Sequence, residues 1–304
     1  MRVDGVEFVP MTPVEALESL RPGDAALGRL DVLPTLDGVD DGLWALGVLA
    51  ARGVRVLNGP AFLLATHDKL LTARLLRRAG LPHPRTRVVR GTRVPPSLET
   101  PAVVKPRHGS WGRAVLDVPG LVLDARQLGR ELGVVVAERH VAAPAPVPGL
   151  DDDAELAAEL ARIQDEPWYV QHGALVQDLV PPVGHDLRLL VAGDRVVGCI
   201  RRVAQAGEWR TNVALGARRE PAVAPPVAVR MALDAARAVD ATLVGVDLLP
   251  TEDGWTIVEL NGAVEFTGEY RPQGDVFREA ALELVASLTA DRAAPAGEIE
   301  RVPA

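Results

Sequence analysis

Residues 242–261, TLVGVDLLPTEDGWTIVELN, are two apolar runs of strand length joined by a turn signal, which constrains this part of the chain to an antiparallel hairpin. Its register decides where the polar residues go. Side chains alternate across a strand, so Glu259 and Asn261 share one side. If Asp253 and Gly254 alone form a two-residue turn, Asp247 stands opposite Leu260 and faces away from Glu259. If Glu252, Asp253 and Gly254 form a three-residue loop, with Gly254 left-handed as a G1 bulge, Asp247 falls opposite Glu259. The second register gathers two carboxylates and an amide on one face. Such a cluster repels itself unless a hard cation neutralises it, and Mg2+ accepts these oxygens together with water and phosphate. For the hairpin taken alone, a solvent face for Glu259 and Asn261 is the simpler explanation.

The rest of the chain supplies the context. Its 304 residues, 48% hydrophobic and 24% charged, have the balance of an ordinary soluble protein with two or three domains. A formal net charge of -8 opposes a broad nucleic-acid surface. The single Cys199 cannot form an internal disulfide, and MRVDGVEFVP lacks the apolar core of a signal peptide. No run approaches the roughly 20 apolar residues of a membrane helix. A cytoplasmic protein without membrane or nucleic-acid partners is expected.

From VEFVP to VRVLNG, strand-like and helix-like patterns alternate, predicting a small α/β unit. One long helix is predicted from Ala61 to about Ala79, stopped by Gly80 with Pro82 and Pro84 behind it. PAVVKPRHGSWGRAVLDV reads as two strands flanking a loop that carries Gly109, Ser110 and Gly112, and Asp151 to Asp153 suit a helix start. After Pro167 come the strands ALVQDLV, DLRLLVAG and RVVGCIRRVA, with AGDR as a hairpin signal, then a helix over VAVRMALDAARAVD before the final pair. The last residues lack an apolar stripe and read as a loose tail.

Common signatures are absent: there is no GxxxxGK[ST] loop, no GxGxxG turn and no HExxH helix. The six histidines have no ligand-like spacing, and Ser110 lacks the strand, turn and helix of a nucleophile elbow. Cations at costly positions are more informative. Lys105 ends an apolar strand, where an ammonium needs an anion, and the loop behind it has small residues whose N–H groups can approach phosphate. Lys69 alone is an ordinary helix lysine. VQDLVPPVGHDLR offers backbone donors and acceptors beside apolar side chains, as an adenine edge needs, with Asp186 within reach of ribose hydroxyls; an ordinary strand and turn explains it equally. Alternation sends Arg201 and Arg202 to opposite sides, so at most one of them joins Arg188 and Arg210 at a site.

The order DKL, VVKP with GSWGR, VQDLV with HDLR, IRR with RTN, GVDLL and VELN, spanning about Val54 to Glu265, resembles the ATP-grasp superfamily and within it the RimK and LysX type of ligase. The resemblance implies an α/β and α+β fold: a shortened N-terminal α/β domain (1–64), a central (65–170) and a C-terminal (171–290) α+β domain clasping ATP, and a flexible tail (291–304). It implies that Lys69 and Lys105, with Ser110 and Gly112, contact the phosphates, Gln177, Asp178 and Leu179 the adenine, and Asp186 the ribose. Asp247, Glu259 and Asn261 would hold Mg2+, in two ions with Mn2+ able to substitute, and Arg188, Arg202 and Asn212 would steady the transferred phosphoryl group.

The implied reaction joins a carboxylate, activated as an acyl phosphate, to an amine, with an amino acid or an acidic carrier protein or peptide as partner and a homo-oligomer as assembly. A kinase acting on a hydroxyl and a non-catalytic ATP-binding module are the alternatives. Against that pattern, VEFVP is expected to correspond to a second strand, with the first strand and helix missing, and the chain departs further in the hinge pair Gln177-Asp178 and in the small Gly262 and Ala263.

Overall fold

The computed structural model describes residues 2–3, 5–90, 102–109, 161, 163–206, 208 and 210–293. Strands β1 (Arg2–Val3) and β2 (Val6–Glu7) form a short antiparallel hairpin, so VEFVP is not part of the parallel pair that follows. Helix α1 (Pro13–Ser19) starts with a capping box in which the Thr12 hydroxyl accepts from the Glu15 N–H and the Glu15 carboxylate accepts from the Thr12 N–H. Strands β3 (Ala25–Leu27) and β4 (Arg55–Leu57) are parallel, with α2 (Leu43–Ala51) as their crossover. The α/β beginning expected from the alternating patterns is present.

The expected single helix is two, α3 (Pro60–His67) and α4 (Lys69–Arg78). Asp68 between them is extended, and its carboxylate accepts from the N–H groups of Leu70 and Leu71. Asp competes for backbone donors and therefore caps a helix better than it continues one. Arg107 grips the same carboxylate through Nε at 2.8 Å and Nη2 at 2.5 Å, so the break is held from outside as well.

The central sheet consists of β5 (Thr86–Val89), β6 (Ala102–Pro106) and β7 (Ala174–Asp178), in the order β5-β7-β6, with α5 (Pro167–His172) leading into β7. It therefore runs past the expected boundary at residue 170. The strand expected after the Gly109 loop, Ser110, Gly112 and the Asp151 to Asp153 helix start lie outside the described residues. The C-terminal sheet is antiparallel in the order β10-β9-β8-β11-β12: β8 (His185–Ala192), β9 (Arg195–Val203), β10 (Arg218–Pro221), β11 (Leu243–Thr251) and β12 (Gly254–Asn261). The AGDR turn joins β8 to β9 as expected, with Ala192 opposite Arg195. Helices α6 (Pro226–Ala238) and α7 (Val276–Ala293) complete the domain, and α7 takes up the first residues of the segment expected to be a loose tail. Among the described residues no helix is long and apolar enough to cross a membrane.

Period-two alternation buries the C-terminal sheet on both faces. Leu187, Leu189 and Val191 join Phe62 and Leu63 of α3 and the alanines 228, 232, 235 and 236 of α6 in one core. Leu190, Ala192 and Ile200 face the other way, onto Val276, Ala280 and Leu284 of α7. The N-terminal unit thus shares a core with the C-terminal sheet. Asn58, buried at φ 51°, adds three hydrogen bonds: its amide donates to the Leu243 carbonyl at 2.8 Å and accepts from the N–H groups of Thr242 and Leu243.

The β11–β12 hairpin corrects the expected turn and keeps its consequence. Thr251 pairs with Gly254, so the loop has two residues, Glu252 and Asp253, not three. The register shifts farther along the ladder: Leu248 is opposite Ile257, yet Asp247 is opposite Glu259. Val258 is the extra residue, a bulge in mid-strand rather than at the turn.

Replacing Asn58 by Ala leaves the paired backbone groups of Thr242 and Leu243 unsatisfied and removes the short polar side chain that favours a left-handed φ, a loss of about 2 to 4 kcal/mol read as a lower urea midpoint with unchanged slope.

Candidate active site

The sheet face that packs on α7 continues past the helix into charge. Strand register sets Arg188 opposite Asp247, and Asp186 opposite Arg202. The Arg188 fork donates to both Asp247 oxygens, Nε at 2.6 Å and Nη2 at 2.7 Å. Arg202 reaches Asp247 Oδ2 at 2.9 Å and holds Asp186 with Nε at 2.8 Å and with Nη2. Thr211 Oγ1 donates to Asp186 Oδ2 at 2.6 Å. Arg202, Asp186 and Asp247 are each at most 5% exposed. Burial pushes the Asp247 carboxyl up, but the guanidinium groups of Arg188 and Arg202 outweigh it and hold it well below the ordinary carboxylate range. The expectation that only one of Arg201 and Arg202 reaches the site is met: Arg201 is exposed and pairs with Glu220.

Glu259, across the ladder from Asp247, takes the ammonium of Lys69. Because α4 begins at Lys69, the side chain leaves the helix end toward β12, and its Nζ also donates to the Gly109 carbonyl at 2.6 Å. Lys105 donates to Gln177 Oε1 at 2.5 Å. The Gln177 amide is bound in turn by Thr86 Oγ1 at 2.9 Å and His83 Nε2 at 3.2 Å, and His83 Nδ1 meets the Ile257 carbonyl at 2.8 Å. Burial, with Lys69 nearby, pulls the Lys105 ammonium down to about 8, and burial pulls the His83 imidazole down to about 4. A neutral His83 with its proton on Nδ1 leaves Nε2 to accept from Gln177. Gln177 thereby turns its side chain inward to position Lys105.

Two spaces meet at these residues. The first, about 1090 Å3 with its open mouth included, lies between the central and C-terminal sheets. Lys69, Lys105, Gln177, Asp178 and Leu179 line one part of it, and Asp186, Arg202, Asn212, Asp247 and Glu259 another. Its apolar walls include Val103, Leu249 and Val258, the last exposed to the cleft beside Glu259 by the bulge. The second, about 840 Å3, is lined by Arg188 and Asn261 together with Asp31, Thr66, His67 and Arg219. Gly109, Arg202, Asn212 and Glu259 border both spaces.

Asn261 is opposite Gly245, and its Nδ2 is buried without a hydrogen-bond partner among the described residues. Among those residues no three His, Cys, Asp or Glu side chains form a metal site by themselves. An ion here would complete its shell with the Asn261 amide oxygen, water and phosphate, which is the habit of Mg2+.

Sequence reasoning missed His83 and Thr86 behind Gln177, the Asp68–Arg107 clamp, and the Arg219–Glu265 pair at 2.5 Å. Only Asp68 carried a local signal, a capping residue directly before Lys-Leu-Leu.

Asp247→Asn should destabilise the protein by about 3 kcal/mol at neutral pH, because Arg188 and Arg202 lose their shared counter-charge. A depressed folded pKa means that the contribution is complete above the unfolded value of about 3.9 and fades below it, so wild-type and variant urea midpoints should converge toward acid pH.

Residues 154–286 match the model of the RimK-like ATP-grasp domain. Among curated proteins, the chain is 25% identical to a probable alpha-L-glutamate ligase of Haemophilus influenzae, over 79% of this chain and 68% of that one. It is 27% identical to the glutamate–LysW ligase ArgX of Sulfurisphaera tokodaii, over 81% of this chain and 78% of that one. Among solved structures, a RimK domain ATP-grasp protein of Sphaerobacter thermophilus aligns at TM-score 0.53 and 20% identity over 88% of this chain and 86% of that one. D-alanine–D-alanine ligase of Bacillus anthracis aligns at TM-score 0.58 and 14% identity over 94% and 87%. These likenesses establish the ATP-grasp fold.

Proposed function

Because this chain carries a RimK-like ATP-grasp domain, we propose that it is an ADP-forming ligase that activates a carboxylate as an acyl phosphate and joins it to an amine. The observation that carries this reading is the shared border. Arg202, Asn212 and Glu259 face both an elongated cleft with apolar walls and a second, polar space.

In this reading the adenine lies along Asp178 and Leu179, which border the apolar part of the first space, and the phosphates run toward Lys69 and Lys105. Gln177 acts through Lys105, and Asp186 acts through Arg202, since both of its oxygens are already engaged. Glu259 and Asn261 would hold Mg2+, which when bound supplies charge neutralisation for the phosphates, and Asp247, expected as a third ligand, would join them by giving up one of the guanidinium contacts that now take both of its oxygens. Phosphoryl transfer needs alignment and charge stabilisation more than covalent help, and the fixed Arg188 and Arg202 provide both at the border. The substrate carboxylate attacks the γ-phosphate there, ADP leaves, and the amine approaches from the second space.

The names of the glutamate ligases and of the glutamate–LysW ligase favour an amino acid as amine and an acidic peptide or carrier as carboxylate. ATP dependence and a single cysteine agree with a cytoplasmic enzyme.

With Mg2+ and ATP, a screen over the twenty L-amino acids and short glutamate peptides should give ADP release that requires both a carboxylate and an amine. Glu259→Gln combined with Asn261→Ala should slow it by about 100-fold; unchanged turnover in that variant sinks the mechanism, and a phosphorylated product stable to hydroxylamine makes the protein a kinase. The lowered Lys105 value predicts a second outcome. Its charge is present below about 8 and lost above, so ATP affinity by calorimetry should fall as pH rises through 8, while Lys105→Arg stays flat.

A further inference from the structure

The second space is bordered by a phenol that the mechanism above leaves unused. Tyr270 ends the 3-10 turn Gly268–Tyr270 and is 6% exposed. Its ring is seated on the C-terminal sheet at Gly198 of β9, where an added β-carbon would lie 2.8 Å from Tyr270 Cβ and 3.1 Å from Cδ1. Glycine at 198 is therefore what lets the ring lie against the strand. The Tyr270 hydroxyl makes no hydrogen bond among the described residues, yet it is not sealed in, and Tyr270 borders the second space. An unpaired polar group on a buried residue calls for an explanation.

Strand register shows what the hydroxyl faces. Gly198 is opposite Leu190 of β8, and two residues farther along the same face Ile200 is opposite Arg188. Next on that face comes Arg202, with Arg219 of β10 across from it. The hydroxyl belongs to this charged end rather than to the apolar end under α7, since Arg188, Arg202 and Arg219 all act on it electrostatically. Ile200 and these three arginines border the same space. Arg188 engages Asp247 through Nε and Nη2, and its Nη1 makes no hydrogen bond among the described residues. One face of the sheet thus presents two uncommitted donors to the second space, Arg188 Nη1 and Tyr270 Oη. A phenol is neutral at working pH, so Tyr270 donates without losing its proton.

We propose that Tyr270 is a catalytic residue whose hydroxyl, beside Arg188 Nη1, binds the substrate carboxylate oxygen that does not attack ATP. The other oxygen attacks the γ-phosphate, the O–P bond forms, and the bond to ADP breaks with its electron pair leaving on ADP. When the free amine then attacks the acyl carbon, the C–N bond forms and the carbonyl π pair moves onto the held oxygen. Tyr270 Oη and Arg188 Nη1 meet that charge where it develops, as preorganised donors do. The pair returns to carbon, the C–O bond to phosphate breaks with its electrons on phosphate, and the surplus proton of the nitrogen goes to phosphate as well. Tyr270 keeps its own proton throughout.

This rests on the ligase reading, and the experiment separates the two. Wild type and Tyr270→Phe, which differ by the hydroxyl alone, are compared with Mg2+, ATP and a pool of the twenty L-amino acids plus tri-glutamate. ADP formed in the first turnover reports phosphoryl transfer, and amide product by mass spectrometry reports attack on the acyl carbon. Because the hydroxyl pairs with no described residue, the variant keeps the wild-type urea midpoint. The expected result is first-turnover ADP within about threefold of wild type and amide formation lowered by about 100-fold. Added hydroxylamine does not rescue the variant, since hydroxamate formation passes through the same oxyanion. Amide formation near wild type overturns the proposal. An equal fall in ADP and amide, or a lowered urea midpoint, makes the hydroxyl a structural group and also overturns it. Wild type that forms neither ADP nor amide overturns the ligase reading, and with it this one.

Discussion

A carboxylate held between two guanidinium groups organises this protein. Asp247 is buried in the middle of the C-terminal sheet, bound by the fork of Arg188 and by one arm of Arg202, whose remaining donors hold Asp186. Taking four charges out of water is costly, and attraction compensates only when the geometry is good and every oxygen is used. The sheet satisfies that condition because the partners come from directly opposite positions on neighbouring strands. Ladder hydrogen bonds therefore fix the ionic contacts, and the polar end of the sheet is as well defined as its apolar end against α7.

Around that centre, each further cation is aimed by a local irregularity. Lys69 points to Glu259 because the chain leaves helical geometry at Asp68 and starts again. Glu259 meets Asp247 because Val258 is bulged out of the ladder. Lys105 is steered by Gln177, which is oriented by Thr86 and by His83, itself tied to the Ile257 carbonyl of β12. That last chain of bonds links the central sheet to the C-terminal one through polar atoms.

Much of this was legible in the sequence, and the exceptions have a common cause. The hairpin, the α/β start, the AGDR turn and the segregation of Arg201 from Arg202 follow from periodicities that act within one or two elements. The pairing of Asp247 with Glu259 was reached with the wrong device, since a turn insertion and a mid-strand bulge change the register by the same one residue. The helix break at Asp68 was visible as a capping residue but is reinforced by Arg107, which is distant in sequence. The inward turn of Gln177 and the commitment of both Asp186 oxygens depend on groups that only folding brings together, and no local pattern encodes them.

The sharing of one core by Phe62, Leu63 and the C-terminal sheet, reinforced by Asn58, has a mechanical consequence. Thr66 and His67 are cemented to the same body as Asn261 and Arg219, whereas Lys105 and Gln177 stand on a separate three-stranded sheet. A change of angle between the two sheets alters the first space and leaves these walls of the second fixed. In the proposed ligase reading, such a motion would let nucleotide exchange proceed while these walls around the acceptor stay in place.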